Sequence, residues 1–242
     1  MGLFNKFKEP PIEVFVRYCH YSSASAHKTR LKNFSKERCF HNLMETVDLR
    51  RVRFTFFLDS FYPAKRPHFI LDQRQFPVIE IKAGNEAASF LQMLDYVSKQ
   101  PLTPETIVYF LEDDYLHRKG WTEVLLEGFT IPMVDYITLF DHRDKYFDLS
   151  YAQLQSKLFH TQLCHWRTTP STTNTYAMRF KTLLEHLDVH KAFSQDRKIS
   201  ADHDKFCRLH ELGATLISSI PGFSTHAEPD YASPCIDWDH QV

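Results

Sequence analysis

The sequence has 242 residues, and its 29 Lys and Arg residues nearly balance its 30 Asp and Glu residues, giving a formal net charge of -1. Because no field of one sign surrounds such a chain, we expect no nucleic-acid partner. The length suits one α/β domain with a large buried core, and we expect residues 1–242 to form a single domain.

Cysteine spacing and hydropathy indicate the compartment. The five cysteines are odd in number and far apart, at Cys19, Cys39, Cys164, Cys207 and Cys235. This spacing indicates neither a disulfide framework nor a zinc knuckle, and it favours a reducing, cytoplasmic location. The sequence has no secretory signal and no apolar run of roughly 18 residues, so we expect no transmembrane segment.

Residues 1–8 form a short basic and aromatic leader. It predicts either a disordered tail or a peripheral contact with the inner face of the membrane. Lys6 stands where a myristoylation signal has Ser or Thr, which argues against that lipid anchor.

The first half of the chain alternates between strand and helix patterns. Apolar, β-branched and aromatic runs predict strands at residues 12–18, 52–58, 78–82 and 107–111. Apolar residues at three- and four-residue spacing predict helices at 36–49 and 86–97, the second capped by Asn85. This alternation is typical of a parallel sheet.

The second half mixes shorter patterns. We predict a helix at 120–129, a strand at 134–140, helices at 180–187 and 202–212, and a last strand at 215–220. Two β-prone stretches, 158–166 and 173–178, flank the turn-forming residues 167–171 and predict a hairpin or crossing ribbon.

Three carboxylates, Glu112, Asp113 and Asp114, directly follow the predicted strand at 107–111. Open α/β sheets bind ligands beyond the carboxyl ends of their strands. Neighbouring carboxylates are costly unless a cation or hydrogen-bond donors neutralise them, so we predict a metal site here. The alternative is that these acids cap a following helix, a role for which one acid suffices.

Residues 111–114 resemble the EDD form of the acidic DxD motif of GT-A glycosyltransferases. The resemblance implies an α/β, GT-A (Rossmann-like) fold with a mostly parallel central sheet, flanking helices and a small β-ribbon in the C-terminal half. Residues 1–115 would then bind a nucleoside-diphosphate sugar, and residues 116–242 the acceptor. It also implies that Asp114 binds Mn²⁺ or Mg²⁺, while Asp113 or Glu112 reaches the metal through water or holds a ribose hydroxyl.

A second segment, residues 200–208, resembles the GT-A pattern EDxDLxLR, although Ala201 replaces its first Glu. The resemblance implies that Asp202 is the catalytic base of an inverting enzyme, with Asp204 as the second candidate. The alternative is an ordinary acidic start of the helix at 202–212.

His226 follows the last predicted core strand, where many GT-A enzymes place a histidine that completes the metal coordination. An imidazole ligand suits Mn²⁺ better than Mg²⁺. With 14 histidines in the chain, an ordinary core or surface role is the alternative.

Four residues on the donor side lie at or just beyond the carboxyl ends of predicted strands. Arg17 and Asp59 are placed to meet the base and ribose, and Gly84 with Asn85 to let the backbone approach the donor. A surface Arg and a turn Asp are the alternatives.

Five later residues could line the acceptor cleft: Asp141, His142, His165, Trp166 and Arg167. Trp166 would stack on a sugar ring, and Arg167 would hold a phosphate or carboxylate. A core tryptophan and surface arginines are the alternatives.

The resemblance implies an inverting, metal-dependent glycosyltransferase that moves a sugar from its nucleotide donor to a glycan or lipid-linked acceptor hydroxyl, in polysaccharide biosynthesis. Two alternatives stay open. Asp141 with His142 and Asp202 with His203 could build a metal-dependent phosphoesterase or other hydrolase. Because Ala201 departs from the pattern, the chain could also be a non-catalytic nucleotide- or glycan-binding module.

Overall fold

The computed structural model describes residues 12–62 and 64–241 of the chain. Its strands, in chain order, are β1 (Ile12–Cys19), β2 (Val52–Asp59), β3 (Val78–Ile81), β4 (Ile107–Glu112), β5 (Tyr115–His117), β6 (Tyr136–Thr138), β7 (Leu158–His160), β8 (His165–Thr168), β9 (Tyr176–Arg179), β10 (Leu216–Ile220) and β11 (Ser224–His226). Its helices are α1 (Lys36–Thr46), α2 (Glu86–Ser98), α3 (Trp121–Gly128), α4 (Asp144–Phe147), α5 (Phe180–Glu185), α6 (Leu187–Ala192) and α7 (Asp202–Glu211).

A nine-stranded sheet organises the fold, with the strand order β3-β2-β1-β4-β9-β6-β10-β8-β7. The first four strands are parallel, as the sequence predicts. β9 is antiparallel to both of its neighbours, β4 and β6, and β10 is parallel to β6. The carboxyl ends of β1 to β4, β6 and β10 therefore all lie at one edge of the sheet. The predicted α/β class with a mostly parallel central sheet is confirmed.

The strands form where side chains can be buried on both faces of the sheet. In β4, Tyr109 and Leu111 enter the apolar layer shared with α1 and α3. Val108 and Phe110 enter the opposite layer, shared with α2, α5 and α7. Each fully buried large apolar side chain stabilises the fold by about 1.5–3 kcal/mol. Such two-sided burial explains the continuous apolar run of this strand.

Local capping sets the starts of the two helices next to the parallel strands. The Ser35 hydroxyl accepts a hydrogen bond from the Arg38 backbone N–H at 3.0 Å at the start of α1. The Asn85 side chain does the same for the Ala88 N–H at 2.9 Å, so the predicted cap of α2 is confirmed. Each cap satisfies a helix N–H that would otherwise lack a partner.

The ribbon in the C-terminal half pairs differently from the prediction. β7 and β8 form an antiparallel hairpin at the outer edge of the sheet, and both come from the first β-prone stretch and its following turn. The second stretch, residues 173–178, is not an arm of this hairpin, because β9 runs between β4 and β6. Tyr176, Ala177 and Met178 are all buried, and a central position covers both of their faces.

Two short strands were not predicted. β5 and β11 form a separate antiparallel pair in which His226 lies opposite Tyr115. Each strand has three residues, too few for a periodic pattern. This pair is what brings residue 226 beside the end of β4.

Among residues 12–62 and 64–241, no helix is long and apolar enough to cross a membrane. The leader at residues 1–8, for which the sequence predicts a tail or a peripheral membrane contact, lies outside the described residues.

Candidate functional site

The candidate site lies at the carboxyl end of β4. Glu112 is the last residue of this strand, and Asp113 with Asp114 forms the turn into β5. Asp113 and Asp114 are buried, with 9% and 8% of their surface exposed, so each carboxylate depends on partners within the protein.

Asp114 is held by two cationic groups. Its Oδ2 lies 2.8 Å from His226 Nε2 and 2.9 Å from Arg30 Nη1. Burial alone would raise the pKa of Asp114, but His226 and Arg30 hold that pKa below its ordinary value. Asp114 is therefore an ionised carboxylate at neutral pH.

His226 has a carboxylate at each ring nitrogen. Nε2 faces Asp114, and Nδ1 lies 3.2 Å from Oε2 of Glu228, which Lys28 Nζ contacts at 2.9 Å. Burial lowers the pKa of His226, but Asp114 and Glu228 outweigh it and raise the pKa to about 9. The imidazole is thus fixed in orientation between two carboxylates.

Asp113 points to the other side of the turn. Lys36 Nζ lies 2.7 Å from its Oδ2, and the Cys19 backbone N–H donates to the same oxygen at 3.1 Å. Burial raises the pKa of Asp113, and Lys36 opposes that rise. Asp113 therefore ties the turn after β4 to the end of β1 and the start of α1.

Glu112 and Arg17 are part of a buried network. Arg17 Nη2 lies 2.8 Å from Glu112 Oε1, and its Nη1 lies 2.9 Å from Glu86 Oε1. Burial raises the pKa of Glu112 to about 7 despite Arg17, and nearby Asp114 and Asp202 contribute to the rise. Arg17 thus lies at the site, where its guanidinium joins two carboxylates.

Asp202 is the first residue of α7, and Ala201 precedes it as the capping residue. Asp202 Oδ1 lies 3.0 Å from Nζ of Lys205, a fully buried lysine that also donates a hydrogen bond to Asn174 Oδ1. Within the described part of the chain, Oδ2 of Asp202 has no hydrogen-bond partner. Burial raises the pKa of Asp202, opposed by Lys205. This carboxylate can therefore accept a proton.

The second base candidate, Asp204, has an exposed side chain on the same helix. Asp202, in contrast, is close enough to Glu112 to raise its pKa. Of the two base candidates, Asp202 is thus the one near the carboxylates at the end of β4.

Three of the residues predicted on the donor side support the local backbone at the edge of the sheet. The Asp59 carboxylate accepts hydrogen bonds from the N–H groups of Phe61, Ala83 and Gly84 at 2.8–3.0 Å. Gly84 has a φ of +79°, and a Cβ there would lie 2.9 Å from the Phe61 ring. Asn85 caps α2. Asp59 thus has the turn role that the sequence left open.

The acceptor-side residues are only partly brought together. Arg167 Nη2 lies 2.8 Å from Asp141 Oδ1 in a buried ion pair, and the Tyr146 hydroxyl donates to Asp141 Oδ2 at 2.7 Å. His142 Nδ1 lies 2.7 Å from Asp144 Oδ1.

Two further acceptor-side residues lie elsewhere. The predicted sugar-stacking role of Trp166 is wrong, because its indole is fully buried in the apolar layer and donates to the Thr161 hydroxyl at 3.1 Å. His165 is exposed in the hairpin at the outer edge of the sheet. Neither residue contacts the turn after β4.

The cations around the acidic turn were not predicted from the sequence. Lys28 and Arg30 lie between β1 and α1, Lys36 is the first residue of α1, and their partners lie far away in the chain. No periodic signal identifies such residues. The one available clue is that they follow the carboxyl end of a buried parallel strand, where ligands bind.

The residues present fit a divalent cation only as a partial ligand set. No group of three or more His, Cys, Asp or Glu side chains converges in the portion of the chain that the structure describes. Asp114 and His226 offer one carboxylate oxygen and one imidazole nitrogen, and Glu228 faces the other ring nitrogen, as carboxylates do behind metal-bound histidines. A site with two protein ligands suits a cation that also binds phosphate oxygens and water.

No family model matches the chain, and no curated protein matches it in sequence. Solved structures match its fold. A CMP:2-keto-3-deoxy-manno-octonic acid synthetase complexed with CTP is 13% identical with a TM-score of 0.52, covering 90% of this chain and 94% of the other. S. aureus TarS, residues 1–349, is 15% identical with a TM-score of 0.51, covering 85% of this chain and 57% of the other. The chain therefore shares the mixed α/β fold of these two proteins, and it spans little more than half of the TarS structure.

Proposed function

We propose that this protein is an inverting glycosyltransferase that uses a nucleoside-diphosphate sugar. The observation that carries the proposal is the pairing of two carboxylate centres at one edge of the sheet. Asp114 is kept ionised by His226 and Arg30, whereas Asp202 has a free oxygen and a raised pKa. Carboxylates in such different environments suit different roles.

Two further findings support a nucleotide-sugar substrate. The fold is shared with S. aureus TarS and with a CMP:2-keto-3-deoxy-manno-octonic acid synthetase solved with CTP bound. The candidate site also lies beyond the carboxyl ends of parallel strands, where such folds bind ligands. We therefore place the donor beside β1 and β4, and a glycan or lipid-linked acceptor beside α7.

In the proposed reaction, Asp202 is the base. Its Oδ2 takes the proton of the acceptor hydroxyl while that oxygen bonds to the anomeric carbon, opposite the leaving diphosphate. The bond from the anomeric carbon to the diphosphate oxygen breaks, and the nucleoside diphosphate leaves with the electron pair. Lys205 holds Oδ1 of Asp202 at 3.0 Å, which fixes the orientation of the carboxylate.

Asp114 and His226 are the residues that would hold Mn²⁺ or Mg²⁺, with Glu228 orienting the imidazole. When bound, the cation would supply a Lewis acid that stabilises the charge developing on the departing diphosphate. Asp113 keeps the turn in place through Lys36 and Cys19.

Replacing the base gives the direct test of this reaction. We expect Asp202→Asn to lower sugar transfer by about 10²–10⁴-fold, because the acceptor proton loses its acceptor. Donor binding should persist, because Asp202 does not contact Asp114. The matched control is Asp204→Asn, an exposed carboxylate on the same helix, which should transfer at the wild-type rate. The measurement is nucleotide release and glycoside formation with a panel of UDP-, GDP-, CDP- and dTDP-sugars.

Wild-type transfer rates in a folded Asp202→Asn variant would contradict the proposal. The synthetase-like fold favours a second candidate, nucleotidyl transfer from a nucleoside triphosphate to a sugar. That reaction releases inorganic diphosphate from the triphosphate, whereas glycosyl transfer from a nucleoside-diphosphate sugar releases a nucleoside diphosphate. Steady release of phosphate from simple phosphoesters would instead indicate a hydrolase.

A further inference from the structure

The acidic turn is already neutralised by the protein itself. Three cationic side chains, two from the segment between β1 and α1 and one from the first residue of α1, each pair with one carboxylate of the site. The pairs are Lys28 with Glu228, Arg30 with Asp114 and Lys36 with Asp113, at 2.9, 2.9 and 2.7 Å. Each of these three carboxylates thus has a lysine or arginine partner before any ligand is present.

Arg30 differs from Lys28 and Lys36 because the carboxylate oxygen that it contacts also faces the imidazole of His226. Its Nη1 contacts Asp114 Oδ2, the same oxygen that faces His226 Nε2 at 2.8 Å. Arg30 Nη1 is also only 3.5 Å from that imidazole nitrogen. Arg30 therefore stands where a cation held by Asp114 and His226 would be, and the two cannot share that position because like charges repel.

The segment that carries Arg30 is fixed by the C-terminal part of the chain. The Leu31 N–H donates to the Ala227 carbonyl at 3.2 Å, and the Lys32 N–H donates to Asp239 Oδ1 at 3.1 Å. The guanidinium itself lies over the Phe34 ring, 4.5 Å from its centroid, and its side chain keeps 16% of its surface exposed. Arg30 can thus change partner within a backbone that stays in place.

The charges favour an exchange of partners. A divalent cation alone would add positive charge beside Arg30 and His226, and a diphosphate alone would add negative charge beside Asp113 and Asp114. Entering together, they bring opposite charges. A guanidinium released from Asp114 then finds phosphate oxygens, which its planar fork binds in bidentate fashion.

We propose that Arg30 exchanges Asp114 for the donor diphosphate and thereby couples cation binding to diphosphate binding. Arg30 competes with the cation for Asp114 when no donor is bound, and it binds the diphosphate when the donor is present. The inference rests on the proposed function, because that function brings a diphosphate to Asp114. Coupling between two ligands typically changes each affinity by about 5–150-fold.

Binding of Mn²⁺ and inorganic diphosphate to the full chain tests the exchange. Free Mn²⁺ is followed by electron paramagnetic resonance, and melting temperatures are recorded with Mn²⁺, with inorganic diphosphate and with both. In the wild type, we expect a larger shift with both than the sum of the separate shifts. In Arg30→Gln, we expect tighter binding of Mn²⁺ alone and a loss of about tenfold in the coupling. Arg30→Lys keeps the charge but not the fork and should keep part of the coupling.

Arg74→Gln is the matched control, since Arg74 is an exposed arginine outside the site and should behave as the wild type. Arg30→Gln with unchanged Mn²⁺ affinity and unchanged coupling would overturn the inference while leaving the proposed function standing. A wild type that responds to neither ligand nor their mixture would overturn both. If Arg30→Gln does not fold, Arg30→Lys decides, because wild-type coupling in that variant would exclude a role for the guanidinium fork.

Discussion

The protonation of Asp114 and of Asp202 depends on the groups that surround each carboxylate. Asp114 is ionised because His226 and Arg30 face it, while burial raises the pKa of Asp202 against the opposing charge of Lys205. Residue type and order in the sequence single out both carboxylates as candidates. Their partners were not predictable, because Arg30 and Lys205 meet them only after the chain has folded.

The packing of Trp166 in the core was likewise not predictable from the sequence. Its ring packs against α3, where a Cβ on Gly128 would lie 2.8 Å from the indole and 2.7 Å from Ile137 Cδ1. We expect Gly128→Ala to lower the free energy of unfolding by about 1–3 kcal/mol, because the added methyl group overpacks the core. Urea denaturation measures the change. A free energy of unfolding equal to the wild-type value would show that the indole has room to move, contradicting the close packing described here.

At the scale of elements, long periodic patterns were predictable and short elements were not. The parallel strands β1 to β4 and the helices α1 and α2 follow from apolar runs, spacing and the Asn85 cap. β5 and β11 were not predicted because three residues are too few to show a periodic pattern. The pairing of β9 was not predicted because strand pairing depends on the whole sheet. The acidic turn was thus predictable, but the β-pair that brings His226 to it was not.

The small sheet also contains a buried histidine that makes stability depend on pH. His117 is fully buried, with Nε2 2.9 Å from the Tyr109 hydroxyl, and burial lowers its pKa from the ordinary 6.5 to about 3. Between about pH 3 and pH 6.5, His117 therefore binds a proton in the unfolded chain but not in the folded chain. The stability from His117 is complete above pH 6.5 and is lost as the pH falls toward 3.

Between pH 7.5 and pH 5, we expect the His117 contribution to lower the free energy of unfolding by about 2 kcal/mol. His117→Gln, which keeps a partner for Tyr109, should show a smaller drop over the same interval. Urea denaturation of both proteins at the two pH values gives the comparison. Equal drops in the two proteins would contradict a neutral, buried His117.

At the scale of the whole molecule, the sheet order gathers distant parts of the chain at one edge. A buried network joins the donor side to the start of α7. Arg17 links Glu112 to Glu86, and Glu86 in turn accepts hydrogen bonds from Asn174 and the Ser200 backbone N–H, each at 2.7 Å. Residues spread over most of the sequence thus converge between β1, β4 and α7. The proposed base and the proposed diphosphate site both belong to this region, as a single displacement requires.

The most direct test of the central claim is the melting temperature of the protein with UDP, GDP, CDP and dTDP, each with and without Mn²⁺. A ligand that binds only the folded state raises that temperature by mass action. We expect a shift that needs both one nucleotide and Mn²⁺, disappears in Asp114→Asn and persists in Asp204→Asn. No shift with any of the four nucleotides, or an undiminished shift in Asp114→Asn, would contradict a nucleotide-sugar site at the end of β4.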